Sequence, residues 1–177
     1  MRPRRAAYAA AALLSLVSLT ATPAVLRAQA PDSAKIQLLR DSIASTFLWA
    51  DALAKLPRVE VKAAEHGRTG TFRGVRLSDA LRLAGVPIDS VRGPRASLYV
   101  LVGAADGYRA LFSLAELAPG LGGREVLLAD QRDGRPLAAD EGPFRLVVPN
   151  DGRPTRWVRQ VTTISVRTAV LEGDARR

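Results

Sequence analysis

The spacing of hydrophobic residues changes several times along the chain, and each change marks an element. An uncharged apolar run from Ala6 to Leu26 follows Arg2, Arg4 and Arg5 and closes on Ala28-Gln29-Ala30. That is the order of a basic n-region, an apolar h-region and a small-residue cleavage site, so residues 1–30 read as a secretory signal peptide, with cleavage after Ala24 or after Ala30. The run is also just long enough to cross a bilayer, and an uncleaved anchor is the alternative. Residues 31–48 are polar, with Ile36, Leu38, Leu39 and Ile43 at partly helical spacing, and read as a linker or lead-in helix. Trp49 to Leu56 is a second helical stretch, stopped by Pro57.

Beyond Pro57 the period shortens to two. Val59 and Val61 alternate with Glu60 and Lys62, and His66-Gly67 is a hairpin turn before Thr69 to Phe72. Ser78 or Asp79 opens a helix carrying Ala80, Leu81 and Ala84, which Gly85 and Pro87 close. The apolar run Ser97 to Val102 turns at Asp106-Gly107 into Tyr108 to Phe112. A short Leu114 to Leu117 turn leads to a strand at Glu125 to Ala129, a turn at Asp133-Gly134, and final strands at Phe144 to Val148 and Val161 to Val166. These last two are apolar on both alternating sets of positions, which predicts cover on both faces. Strands outnumber helices and the turns are of hairpin type, so the class is α+β with a mixed, mostly antiparallel sheet. Residues 49–170 form the domain and 171–177 a tail.

Length and composition narrow the function. At 177 residues the chain is one domain long, enough for a single core. The formal charge of +9 falls to +5 once Arg2, Arg4, Arg5 and Arg27 are set aside with the leader. Nearly all the basic residues are arginine, the bias of a GC-rich, bacterial coding sequence. No nucleic-acid reader motif accompanies them, so a nucleic-acid partner is not expected. A membrane partner is expected only if the leader is uncleaved. The chain has no cysteine, so disulfides, thiolate metal ligands and cysteine nucleophiles are excluded. His66 is the single histidine, too few for a zinc site, and no nucleophile elbow, P-loop or dinucleotide fingerprint occurs.

Three ordered blocks carry a resemblance: "GVRLSDALRLAGV" (Gly74 to Val86), "VLVGAADGYRALFSLAEL" (Val100 to Leu117) and "VLLADQRDGRPLAADEGPFRLVVPNDGRPTRWVRQVTTISV" (Val126 to Val166). They resemble the oxidoreductase molybdopterin-binding domain of the sulfite oxidase family, in a small exported form. The resemblance implies an α+β fold with layered β-structure, a molybdenum cofactor and oxygen-atom transfer at a metal held by a pterin dithiolene and one cysteine. It implies that Arg145, after Pro143, and Arg156 and Arg159, around Val158, hold the anionic cofactor. Planar, permanently charged donors suit a phosphate. His66 lies where the family's cysteine loop falls, "VEVKAAEHGRTG", which here lacks sulfur. The loop before Pro143 reads Asp140-Glu141-Gly142, placing acids beside the presumed phosphate site.

Two readings follow. One is a periplasmic or secreted molybdopterin-binding oxidoreductase-like domain with altered metal ligation and an electron-transfer or protein partner. The other is a non-catalytic module that keeps the fold, binding a small ligand or a protein without the metal.

Overall fold

A computed structural model describes residues 34–40 and 44–170. The proposed leader, both candidate cleavage sites and the 171–177 tail lie outside the described residues.

Two five-stranded sheets enclose one apolar core. The first contains β1 (Lys35–Arg40), β2 (Ala44–Trp49), β5 (Leu98–Ala104), β6 (Arg109–Ser113) and β10 (Val161–Thr168), in the order β2-β1-β10-β5-β6. Only β1 against β10 is parallel in this sheet. The second has the order β3 (Arg58–Glu65), β4 (Arg68–Arg76), β7 (Leu127–Arg132), β8 (Arg135–Pro136), with the short β9 (Arg145–Val147) also on β7. Three helices of a turn or two, α1 (Ala50–Ala54), α2 (Leu77–Leu83) and α3 (Leu114–Leu117), close the ends.

The turns follow from residue type. β3 and β4 pair as far as Glu65 opposite Arg68, leaving a two-residue loop in which His66 and Gly67 have φ of 50° and 77°. Both residues are left-handed, as the twist of a tight hairpin requires. Asp133 and Gly134, at 51° and 75°, repeat this between β7 and β8. Gly74 is demanded by packing instead: a Cβ there would stand 2.1 Å from the Leu128 carbonyl oxygen, where β4 bulges against β7.

Within residues 31–48, the described stretches are strand rather than linker or helix. Residues 35–40 and 44–49 form an antiparallel pair at the edge of the first sheet, pairing Lys35 with Trp49 through Arg40 with Ala44. Ile36 and Leu38 are fully buried while Lys35 and Gln37 face away, so the working period is two. Leu39, which suggested a helical spacing with Ile36, belongs to the opposite face. Expected cover on both sides holds for β9, whose three residues are all buried, and in β10 only over Ile164 to Val166. Ile164 and Val166 enter the core, whereas Thr163 and Arg167 lie on the outer face.

After β9 the chain returns alongside itself. Leu146 and Val158 exchange backbone hydrogen bonds of 2.7 and 3.2 Å, Gln160 N donates to Glu141 O at 2.8 Å, and Val161 N donates to Phe144 O at 2.8 Å. This return brings Arg159 close to Glu141 and Arg145.

Candidate functional site

Arg145 is fully buried, the largest side chain to be so. An isolated buried guanidinium costs several kcal/mol, so its partners define the site. Nη1 donates to Glu141 Oε1 and Nη2 to Glu65 Oε1, each at 2.5 Å. Glu65 comes from the last position of β3, and Glu141 from the loop holding the cis Gly142–Pro143 peptide. The guanidinium lies 5.5 Å from the Phe72 ring centroid and 5.3 Å from that of Trp157, which themselves meet edge to face at 5.5 Å. Such aromatic faces stabilise a desolvated cation. Nε of Arg145 has no hydrogen-bond partner.

Two further arginines form the rim. Arg159 Nη2 donates to Glu65 Oε1 at 3.3 Å, and Arg132 Nη1 donates to Glu141 Oε1 at 3.2 Å. Arg132 reaches across Gly70, where a Cβ would stand 2.9 Å from its Nε, and lies over Phe72 at 5.1 Å. Burial alone would push the Glu65 carboxyl up, but the hydrogen bonds and charges of Arg145 and Arg159 outweigh it and hold Glu65 below the usual carboxylate range. Three guanidiniums against two carboxylates leave the cluster one net positive charge. An open depression of about 630 Å³ adjoins it, lined by Arg132, Asp133, Arg135, Asp140 and Glu141 among others. Its mouth carries both signs of charge.

Of the four residues proposed from the sequence, Arg145 and Arg159 meet on one carboxylate. His66 is exposed in the hairpin turn next to that carboxylate. Arg156 sits in a different cluster. Its Nε and Nη2 form a fork on Asp151 at 2.8 and 2.7 Å, Nη1 reaches Glu116 Oε1 at 3.2 Å, and the guanidinium covers Phe112 at 4.7 Å. Arg124 Nη1 adds a bond to Asp151 Oδ1 at 3.0 Å. The hydrogen bond from Arg156 holds the Asp151 carboxyl low, and Asp151 in turn raises Arg156. The 3-10 turn Pro154–Arg156 bends the chain before Val158, yet Arg156 and Arg159 take separate partners.

Sequence reasoning missed Arg132 and the part played by Glu65. The pairing of Glu65 with Arg145 spans 80 positions, and no local pattern encodes it. The acidic loop before Pro143 was the one usable signal.

The family model of the oxidoreductase molybdopterin binding domain matches residues 48–173, and the chain belongs to that family. Among characterised proteins it is 33% identical over 112 aligned residues to nitrate reductase [NAD(P)H] of Hordeum vulgare, a match covering 52% of this chain and 11% of the enzyme. Among solved structures it resembles the sulfane dehydrogenase SoxCD of Paracoccus pantotrophus, with a TM-score of 0.60 and 19% identity, covering 82% of this chain and 41% of that one. The latter likeness shows the fold. The chain thus spans well under half the length of either protein.

The family name implies a molybdenum cofactor, and the donor set can be tested against it. A sulfite-oxidase-type centre needs a protein thiolate, and the chain has no cysteine. The segment that would carry it is the β3–β4 hairpin, which supplies Glu65 instead. Among the described residues no group of three or more His, Asp or Glu is arranged to hold a metal ion. A phosphate approaching Arg145 would meet Glu65 and Glu141 already on both terminal nitrogens. These residues do not fit a thiolate-ligated molybdenum centre.

Proposed function

We propose that this is an exported member of the family that keeps the molybdopterin-domain fold as a ligand- or protein-binding module, without thiolate-ligated molybdenum chemistry. One observation carries the reading: the fully buried Arg145 is neutralised from within the chain by Glu65 and Glu141, so the fold's buried cation needs no cofactor anion. The basic, apolar, small-residue order of residues 1–30 supports export to the periplasm or beyond.

A second reading, cofactor-dependent oxygen-atom transfer with altered ligation, draws on family membership and on the unpartnered Nε of Arg145. In it, Arg132, Arg145 and Arg159 hold the anionic end of the cofactor, and Glu65 or Glu141 gives up its bond to Arg145. Purification from a cofactor-competent host, followed by elemental analysis and pterin fluorescence, separates the two. The binding-module reading expects neither molybdenum nor pterin. Stoichiometric molybdenum with turnover of a sulfoxide or sulfite overturns it.

A further inference from the structure

The five strands β2-β1-β10-β5-β6 present one face to the core and one away from it, with a register shift between Val161 and Thr163 of β10. Ile36, Leu38, Leu48, Val100, Phe112 and Ile164 fill the core from one face. The register places a second apolar set on the opposite face: Leu39, Phe47, Trp49, Tyr99, Leu101 and Leu111. Phe47, Trp49 and Leu111 are 40%, 41% and 53% exposed, large values for side chains of this size on one sheet face. The remaining positions there are mostly Ser, Thr, Gly and Gln.

Charge on this face has one sign. The five strands contain no Asp or Glu at all. Lys35, Arg109 and Arg167 are the charged side chains of the outer set, on β1, on the edge strand β6 and near the end of the central strand β10. Lys35 Nζ sits 4.4 Å from the Phe47 ring centroid and 4.9 Å from that of Trp49, joining the cation to the aromatic pair. The chain outside the described residues reaches the fold at Ala34, beside Lys35.

The geometry points to this outer face as a docking surface for an anionic membrane, with Trp49 and Phe47 entering the headgroup layer and Lys35, Arg109 and Arg167 meeting acidic lipid. Tryptophan and basic side chains favour that layer, each for its own reason. A second copy of the chain fits less well. Five strands about 4.8 Å apart and about 20 Å long offer about 400 Å², against about 800 Å² for each partner in a stable protein interface. A face-to-face dimer would also oppose cations with cations. A bilayer needs neither a large area nor a complementary shape. The inference stands whether or not the fold binds a cofactor.

The test uses the chain expressed in full and purified as the host leaves it, titrated with vesicles of phosphatidylcholine alone or mixed with phosphatidylglycerol. Trp49 is the reporter, because Trp157, the other tryptophan, is buried and donates Nε1 to Val148 O. Fluorescence should shift to the blue only on the anionic vesicles and lose that shift in high salt. Each basic residue is worth about fivefold at such a surface, so Lys35→Gln/Arg109→Gln/Arg167→Gln should weaken the response about 100-fold. Phe47→Ser/Leu111→Ser, which keeps every charge and Trp49, should weaken it while preserving the preference for anionic vesicles. An equal response to both vesicle types, no response, or an unchanged response in the triple variant overturns the inference. So does a lipid-independent dimer in sedimentation that Phe47→Ser/Leu111→Ser disperses, which would make this face a self-interface.

Discussion

Glu65→Gln is the substitution that interrogates the buried cluster most sharply. It keeps the size of the side chain and removes the charge that Arg145 and Arg159 share. Arg145 has no exposed surface, and it would retain Glu141 as its one carboxylate, with Nε still unpartnered. Removing one partner of a buried ion pair costs about 3–5 kcal/mol because the other charge is stranded. The surviving Glu141 bond puts the expected loss at the lower end, about 3 kcal/mol. For a chain of this length that is a fall in Tm of about 6–12 °C. Arg159→Gln removes the other arm of the same carboxylate, but Arg159 is 46% exposed, and such pairs contribute at most about 1 kcal/mol. Urea unfolding of the two variants, and of Glu65→Gln in an Arg145→Met background, separates the contributions. In that background the Glu65 substitution should cost under about 1 kcal/mol, since Arg145 is no longer there to be stranded and Glu65 keeps only its exposed partner Arg159. A loss below about 1 kcal/mol for Glu65→Gln in the native background, or an equal loss for Arg159→Gln, would refute the reasoning.

Three other outcomes are expected. Asp151→Asn removes the shared acceptor of Arg156 and Arg124 at a half-buried position and should cost about 2 kcal/mol in the same unfolding assay, without affecting the Arg145 cluster. Glu65 and Asp151 both titrate below their unfolded values, about 4.5 and 3.8, so the unfolded chain binds more protons in acid. Their stabilisation is complete above those values and drains away as pH falls through them towards the folded ones. Unfolding followed against pH should therefore show an acid limb that flattens in Glu65→Gln and Asp151→Asn. Gly74→Ala, which forces a Cβ to 2.1 Å from the Leu128 carbonyl oxygen, should leave no soluble folded chain, whereas Gly120→Ala, in open space, should express normally.

How far the sequence could be read depended on the range of the interaction. Local signals performed well: His66-Gly67 and Asp133-Gly134 turn where two left-handed residues are needed, the period-two run from Val59 became β3, and the runs on either side of Asp106-Gly107 became β5 and β6. Residues 35–49 misled because four apolar residues within eight positions satisfy helical and strand spacing alike. Pairing with β10, more than a hundred positions away, decides for the strand. β10 deceived for a related reason, since strand formers look alike covered or not: Thr162 and Thr168 are exposed, whereas Ile164, Ser165 and Val166 are buried. The site was half legible. The motif after Pro143 singled out Arg145, and the acids before it signalled trouble for an anion. That Glu65 would stand where a thiolate was sought, and that Arg156 would turn away to Asp151, depends on three-dimensional neighbours that no spacing rule encodes.

The full chain, expressed in a host that makes the molybdenum cofactor and weighed by native mass spectrometry, tests the central claim most directly. An internally neutralised Arg145 with no thiolate predicts the mass of the bare polypeptide. A stoichiometric species heavier by molybdenum and its pterin would contradict it.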